Sequence, residues 1–332
     1  MTRAALLTLL LLLAPPADAS MPTLLAETAK KGGFTDAEIQ QAASAAQARI
    51  YEAESRERQV TVLGIARIPA SAKTITADLL KQNGLLKSES LQQIGLFSNP
   101  AKMSDLAKYR MPKADLDTLT DCEVGACRFK LGERGVEVIQ QIDWSAPDAD
   151  DRVNELMKQG MLRVVQDYQQ RGNAALVVAV DKQEPQSFAD GANRLTAQLG
   201  LSHELIPKLR DHLLHYPKAG IPGAHDRILW TVRDYGYRPI TSLSHSIIYE
   251  PEQAPPATLI AVKDLYSNHY FHARQRLIGL WADSEDPNVT WVGYSDRMLF
   301  DGDLGSVKRR MLRSGVVKNG RKRLDRLRAE YE

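Results

Sequence analysis

The residues best suited to chemistry lie in the segment Tyr-Ser-Asn-His-Tyr-Phe-His-Ala-Arg at positions 266–274. Successive side chains of a β-strand point to opposite faces, so a strand here would place aromatic, imidazole and guanidinium groups on one face. Such a set suits a cavity that holds an apolar body with one polar or anionic head. The alternative is an ordinary strand facing solvent. The ligand-binding set predicted on this face consists of Tyr266, Tyr270, His272 and Arg274.

Residues from nearby strand-like segments extend this predicted site. His245 and Tyr249 alternate onto one face of their segment, and Arg297 lies in another such segment. We therefore add Tyr249 and Arg297 to the ligand-binding candidates. If the protein is an enzyme, His245 or His269 is the candidate general base, and Arg274 or Arg297 would stabilise an anion.

The other patterns with known chemistry predict neither a metal nor a cofactor. His212 and His215 are three residues apart on one predicted helix, beside Asp211, but a zinc site needs further ligands and the chain has no H-E-x-x-H. A nucleophile elbow, a phosphate-binding loop and a dinucleotide fingerprint are also missing from the sequence. The 43 basic and 41 acidic residues leave a formal charge of +2, which does not favour nucleic acid as a partner.

The first nineteen residues have the pattern of a secretory signal peptide. Arg3 precedes the apolar run 4–13, and Ala17-Asp18-Ala19 matches the small-x-small cleavage pattern. An apolar run of about ten residues is too short for a membrane span, which needs roughly 20. We expect cleavage near Ser20 and an exported protein, most simply periplasmic in a Gram-negative bacterium.

Cys122 and Cys127 are the two cysteines of the chain. Two cysteines this close in an exported protein are expected to form a disulfide, and Gly125 between them gives the loop the backbone freedom to close. Their spacing does not fit a thioredoxin-like redox pair, a covalent haem motif or a zinc site.

Helix and strand patterns predict the elements that must position these residues. A capping box at Thr35 and Glu38 begins a helix expected to run to about Arg58, within an N-terminal helical segment 20–58. Residues 59–332 are predicted to form a single α+β domain with a helical insertion at about 145–235. We further expect short helices over 73–110 and a strand pair over 116–130. The strand patterns at 60–68, 240–250, 258–266, 269–283 and 289–300 indicate an antiparallel sheet, the last four as a meander.

A long helix predicted at about 304–331 carries many cations against two acids, Asp325 and Glu330. These cations are available for peripheral contact with an anionic membrane, or form an ordinary solvated helix face. They are Lys308, Arg309, Arg310, Arg313, Lys318, Arg321, Lys322, Arg323, Arg326 and Arg328.

The order strand 60–68, helices 73–110, strands 240–300 and helix 304–331 resembles the START/SRPBCC superfamily, also called the helix-grip fold. The resemblance implies a curved antiparallel sheet wrapped on the last helix, with a cavity between them for lipids, sterols or other apolar molecules. The large helical insertion and the C-x4-C segment depart from that pattern. The chain also looks like uncharacterised secreted bacterial proteins with a C-x4-C segment and a Tyr-x2-His-Tyr-Phe segment.

These observations predict a periplasmic binding or carrier protein for a lipid-like or other apolar small molecule. Two alternatives stay open. One is an enzyme that acts on a hydrophobic substrate with a histidine as general base, and the other is a non-catalytic envelope assembly factor that works through its helical middle.

Overall fold

The computed structural model of the chain describes residues 21–53, 58–86, 88–198, 207–236, 238–251, 258–302 and 306–332. The predicted signal peptide, 1–19, lies outside the described residues. Within the described ranges, no helix combines the length and the apolar character that a membrane crossing requires.

A large antiparallel sheet occupies the middle of the structure. Its strands are β1 (Gln47–Ile50), β2 (Gln59–Ile68), β3 (Leu91–Phe97), β6 (His225–Arg233), β7 (Ile240–Tyr249), β8 (Thr258–Ser267), β9 (Phe271–Ala282) and β10 (Thr290–Phe300). They are ordered β1-β2-β10-β9-β8-β7-β6-β3, and every neighbouring pair is antiparallel. The strands β7 to β10 follow one another as the predicted meander. A separate two-stranded pair contains β4 (Val178–Ala179) and β5 (Gln186–Ser187).

The described helices lie before, between and after these strands. They are α1 (Thr23–Lys31), α2 (Asp36–Gln41), α3 (Ala72–Lys81), α4 (Lys113–Leu116), α5 (Glu133–Gln140), α6 (Ala149–Arg171), α7 (Phe188–Ala197), α8 (Pro207–His215) and α9 (Ser306–Ala329). Short 3-10 helices lie at Met103–Leu106 and Gly172–Ala175. The capping box predicted at Thr35 and Glu38 is present at the start of α2.

Helices cover both faces of the sheet. The adjacent residues Ile247 and Ile248 of β7 point to opposite faces, and each belongs to a different hydrophobic cluster. Ile247 packs with Leu213 of α8, whereas Ile248 shares its cluster with Leu79 of α3 and Leu324 of α9. We call the first side, which α6 and α8 cover, the insertion face, and the second the C-terminal face. Coverage on both sides explains why almost every residue of β7, β8 and β10 is buried.

Helix α9 packs closely on the strands β1 and β2 at one end of the sheet. Gly320 permits this approach, since a Cβ atom there would lie 3.3 Å from Val62 Cγ1 and 3.6 Å from Ala48 Cβ. Side chains such as Leu324 and Leu327 fill the space below the helix. The predicted α+β class, with a large antiparallel sheet, a C-terminal helix and a helical insertion, is thus confirmed. The resemblance to the helix-grip fold is not confirmed.

The prediction of one helix from Thr35 to about Arg58 is wrong for residues 47–50, which form strand β1. Helix α2 ends at Gln41, and the residues of β1 pair with β2. The alanine- and glutamine-rich sequence favours a helix locally, but pairing with β2 buries Ala48 beneath α9, and this tertiary packing overrides helix propensity.

Two further strands lie where the sequence predicts helical structure. Leu91–Phe97 forms β3 and pairs with β6, and His225–Arg233 forms β6 inside the stretch predicted as insertion. The pair of strands predicted over 116–130 is replaced by turns, with isolated bridges from Ala126 to Glu123 and to Lys182. The predicted helical insertion at about 145–235 contains α6, α7 and α8, with 199–206 outside the described residues.

The predicted disulfide between Cys122 and Cys127 is confirmed, with an S–S distance of 2.06 Å. Gly125 between them has a φ of 81°, a conformation that glycine adopts without steric cost. Its N–H donates to the Val180 carbonyl at 2.7 Å, and the Cys127 N–H donates to the Asp181 carbonyl at 3.0 Å. The closed loop is therefore attached to the segment that precedes β5.

Candidate functional site

The segment 266–274 does not form one continuous strand. Strand β8 ends at Ser267 and β9 begins at Phe271, and Tyr270 in the turn between them has a φ of 59°. Tyr266 packs into the hydrophobic cluster of the insertion face, whereas Arg274 pairs across β10 with Met298 on the C-terminal face. Tyr270 is 41% exposed. The turn therefore separates the residues that strand alternation predicted on one face.

Arg274 is held in a buried ion pair on the C-terminal face. Its Nε donates to Asp296 Oδ1 at 2.9 Å and its Nη2 donates to Asp296 Oδ2 at 2.6 Å. Burial alone would raise the pKa of Asp296, but Arg274 and then Arg323 of α9 hold it well below its usual range. Arg323 also donates to the Tyr294 hydroxyl at 2.9 Å. This network joins β9, β10 and α9.

Three other predicted ligand-binding residues lie apart from one another. His272 Nε2 lies 2.7 Å from the Ser187 carbonyl oxygen, and burial lowers the pKa of this imidazole. Arg297 Nη1 donates to the Leu195 carbonyl at 3.4 Å. Tyr249 is partly buried beside the cluster that contains α8. The structure does not bring these three side chains to one point.

His269, one of the two predicted general bases, lies in a buried polar group near α4. Its Nε2 lies 2.7 Å from Asp115 Oδ1, and the Asn268 side-chain amide donates to Asp115 Oδ2 at 2.9 Å. His269 and Asp115 are both buried. The contacts of this pair link the turn after β8 to α4.

A cavity of about 440 Å3 opens on the insertion face between α5, α6 and the sheet. Its walls are largely aliphatic, and Tyr266 is the predicted ligand-binding residue that lines it. The Tyr266 hydroxyl donates to the Lys130 carbonyl at 2.6 Å, so its polar end is satisfied while the rest of the side chain lines the cavity. The other aliphatic and sulfur-containing lining residues include Val138, Ile139, Leu156, Met157, Met161, Val164 and Leu243.

A second cluster on the insertion face contains His245, the other predicted general base. His245 of β7, His212 of α8 and Asp226 of β6 meet there, and one potential ligand atom from each lies within 4.8 Å of the others. Asp226 Oδ1 lies 2.6 Å from His245 Nε2 and 2.7 Å from His212 Nε2. Both imidazoles are buried, whereas the Asp226 side chain is 33% exposed.

Each ring in this cluster has a partner for its other nitrogen. The Tyr168 hydroxyl lies 2.9 Å from His245 Nδ1, and the Ala219 carbonyl oxygen contacts His212 Nδ1. Burial lowers the pKa of His245 to about 4, so this ring is neutral at pH 7. Burial also opposes the charge on His212, but its hydrogen bonds to Asp226 and Ala219 raise its pKa overall. Burial raises the pKa of Asp226, and the two histidines more than reverse this, holding it well below its usual range.

The cations of α9 are partly used inside the molecule. Arg313 forms an ion pair with Glu52, and Arg326 forms one with Glu89. Lys318, Arg321 and Lys322 are exposed. Membrane contact through this helix stays a prediction.

The sequence did not reveal the His212–Asp226–His245 cluster. In the sequence, His245 groups with Tyr249 and Arg297, and His212 groups only with His215 and Asp211. The three residues come from different elements, and the pairing of β6 with β7 brings Asp226 near His245, because Ile228 is the direct partner of His245. The available signal was one titratable side chain on an otherwise apolar strand face, with Asp226 followed by Ile228 on β6 and His245 followed by Ile247 on β7.

Comparisons of the chain with protein-family models, with curated proteins and with solved structures find no match. The resemblance to the START/SRPBCC superfamily therefore stays a prediction, and the sites are interpreted from their own geometry.

Proposed function

We propose that this protein is an exported carrier that binds a lipid-like molecule with an acidic head in the cavity between α5 and α6. The observation that most supports this function is the cavity of about 440 Å3 with its largely aliphatic walls. Its volume falls in the range of roughly 300–1,000 Å3 that is usual for small-molecule sites. An acyl chain in contact with Leu156, Met157 and Val164 would remove apolar surface from water on both partners.

The charges at the cavity favour an acidic head group. Arg134 of α5 and Arg163 of α6 line the cavity and are exposed, and Glu133 is the acidic side chain among the lining residues. Two guanidinium groups against one carboxylate leave a local excess of positive charge. An arginine binds a carboxylate through paired hydrogen bonds, so a fatty acid is the simplest ligand of this chemistry.

The compartment is part of the proposal. The Cys122–Cys127 disulfide is compatible with export, because disulfides persist in oxidising compartments such as the periplasm. The signal-like sequence at 1–19 supports the same location.

Titration with dodecanoate, followed by calorimetry, tests this function. Gly160 of α6 lines the cavity, and a Cβ atom at this position would meet nothing within 4 Å, so Gly160→Phe would occupy the cavity without a backbone clash. Gly315 of α9 is a matched control, since it is also a helical glycine with open space around it. We expect Gly160→Phe to weaken dodecanoate binding at least tenfold and Gly315→Phe to leave it unchanged.

A comparison of an acidic ligand with a neutral one tests the preference for an acidic head group. Arg163→Gln should weaken binding of dodecanoate and leave binding of dodecan-1-ol unchanged, because the alcohol carries no charge. Absence of dodecanoate binding to the wild-type protein would contradict the carrier function. Equal weakening by Gly160→Phe and Gly315→Phe would contradict the assigned cavity.

A further inference from the structure

The cluster of His212, Asp226 and His245 lies outside the cavity and has no role in the carrier function. Its three side chains project from α8, β6 and β7 toward one point. Both histidines direct Nε2 at the same oxygen, Asp226 Oδ1, at 2.7 and 2.6 Å. Two imidazole nitrogens and one carboxylate oxygen are a frequent donor set for divalent transition metals in proteins.

The partners of the two Nδ1 atoms match those of metal-binding histidines. Such a histidine commonly donates its other ring N–H to a carbonyl or another acceptor, which fixes the ring orientation. Here the Ala219 carbonyl oxygen contacts His212 Nδ1, and the Tyr168 hydroxyl oxygen lies 2.9 Å from His245 Nδ1. Tyr168 is itself held by stacking on Tyr216, with ring centroids 5.0 Å apart. Both rings therefore have fixed orientations with Nε2 directed at the shared point.

The surroundings suit a metal site that stays open on one side. The two imidazoles are buried, while 33% of the Asp226 side chain is exposed, so solvent reaches the cluster from the side of Asp226. Catalytic zinc sites typically have three protein ligands and a water molecule in the fourth position. A closed structural site would instead need a fourth protein ligand.

We propose that His212 Nε2, His245 Nε2 and an Asp226 carboxylate oxygen bind one divalent transition-metal ion, and that Zn2+ is such an ion. On binding, the metal ion takes the place of the proton on each Nε2, and the single proton of the His245 ring moves from Nε2 to Nδ1. His212 keeps the proton on Nδ1 that faces the Ala219 carbonyl. His245 carries its proton on Nδ1 and donates it to the Tyr168 hydroxyl oxygen. The proton displaced from His212 leaves to solvent.

Lys263 of β8 is the cation that opposes this ion. Its Nζ donates to Asn173 Oδ1 at 2.8 Å and to the Leu213 carbonyl at 2.7 Å, and it lies 5.1 Å from the ring centroid of Tyr168. These acceptors are neutral, so the protonated form of Lys263 places a positive charge beside the cluster. At a pH where Lys263 is protonated, removal of this charge should strengthen metal binding, an effect that a loss of packing alone would not produce.

Zinc binding to the full chain, expressed without a histidine tag and freed of metal by EDTA, tests the site. We expect one Zn2+ per chain by calorimetry and an absorption band of bound Co2+ typical of nitrogen and oxygen ligands. Asp226→Asn and His245→Gln should each weaken Zn2+ binding at least tenfold, and Lys263→Met should strengthen it. The exposed pair His215 and Asp211, 2.8 Å apart on α8, provides matched controls, since His215→Gln and Asp211→Asn should leave Zn2+ binding unchanged.

Several results of these experiments would contradict the metal site. Failure of the wild-type protein to bind Zn2+ or Co2+ overturns the site. Unchanged Zn2+ binding in Asp226→Asn also overturns it. So does a loss of Zn2+ affinity in Asp211→Asn that equals the loss in Asp226→Asn. If the ligand variants do not fold, Tyr168→Phe keeps all three ligands and removes only the acceptor of His245 Nδ1. This variant should weaken Zn2+ binding by about 10- to 100-fold, and unchanged binding would overturn the proposed ring orientation. Dodecanoate binding is measured separately, so the metal site and the carrier function can fail independently.

Discussion

Arg274 on β9 and Asp296 on β10 form a buried two-point ion pair, with Nε to Oδ1 at 2.9 Å and Nη2 to Oδ2 at 2.6 Å. The pair faces α9, and Arg323 of that helix lies 3.6 Å from the same carboxylate. Arg274 is therefore satisfied by the protein itself on the C-terminal face, opposite the cavity. Its role in the structure is to join the sheet to the C-terminal helix.

Replacement of Arg274 should lower stability and leave dodecanoate binding unchanged. Arg274→Leu removes both hydrogen bonds and leaves the buried Asp296 carboxylate with the more distant Arg323 and a hydrogen bond from the Tyr294 hydroxyl, so we expect a loss of about 3–5 kcal/mol in the free energy of unfolding. The double variant Arg274→Leu/Asp296→Leu should lose less than the sum of the two single variants, since the two side chains interact directly. Urea unfolding measures both. A single variant with wild-type stability, or with weakened dodecanoate binding, would show that Arg274 has another role.

Lys263 should make the protein more stable as the pH rises above neutral. Burial lowers the pKa of Lys263 to about 7, whereas an unfolded lysine titrates near ~10.4. Between about pH 7 and pH 10 the unfolded chain thus holds a proton that the folded protein has released, and the free energy of unfolding rises with pH. The rise from this group amounts to about 5 kcal/mol at most.

The titration of Tyr235 also makes the free energy of unfolding rise with pH. Burial raises its pKa, but Arg274, Arg323 and Arg233 together lower it to about 7, so the folded protein again releases a proton before the unfolded chain does. Urea unfolding at pH 7 and pH 9 should show a smaller rise for Lys263→Met and for Tyr235→Phe than for the wild type. Lys81→Met is the control, since the Lys81 side chain is 76% exposed. An identical rise in Lys263→Met and the wild type would contradict the lowered pKa.

The Cys122–Cys127 disulfide should contribute modestly to stability. It closes a short loop, so it restricts the unfolded chain by less than the ~3 kcal/mol expected for a 15-residue loop. The double variant Cys122→Ala/Cys127→Ala should therefore fold and lose less than about 3 kcal/mol in urea unfolding. Thiol titration of denatured wild-type protein from the periplasm should detect no free thiol, and two titratable thiols would contradict the disulfide in that compartment.

The sequence predicted the elements whose pattern is strong over many residues. Strands β7 to β10 are long apolar runs separated by proline, asparagine and aspartate, and α6 has apolar residues at helical spacing. The local sequence pattern was therefore enough to predict these elements. Strand β1 has only four residues, and β3 exposes Ile94 and Leu96 at the edge of the sheet. Their pairing partners, rather than their own patterns, determine that they are strands.

The candidate sites were less predictable for the same reason. A positive φ at Tyr270 separates Tyr266 from Arg274, and no spacing rule in the sequence revealed that turn. The cavity depends on where α5 and α6 lie over the sheet, and the metal cluster depends on the register between β6 and β7. Tertiary contacts of this kind leave no periodic signal in a single sequence.

The location of bound fatty acid tests the central claim most directly. Met157 and Met161 line the cavity, whereas Met298 lies below α9 on the opposite face of the sheet and Met311 is exposed on α9. With 13C-labelled methionine methyl groups, each of these positions gives a separate NMR signal that reports on its own surroundings. Gly160→Phe provides the control for a ligand that binds elsewhere.

We predict that titration with dodecanoate shifts the methyl signals of Met157 and Met161, that these shifts are lost in Gly160→Phe, and that Met298 and Met311 stay unchanged. Shifts at Met298 without shifts at Met157 would locate the ligand beneath the C-terminal helix, as in a helix-grip protein, and would contradict the cavity between α5 and α6. Unchanged signals at all four methionines would contradict the carrier function itself.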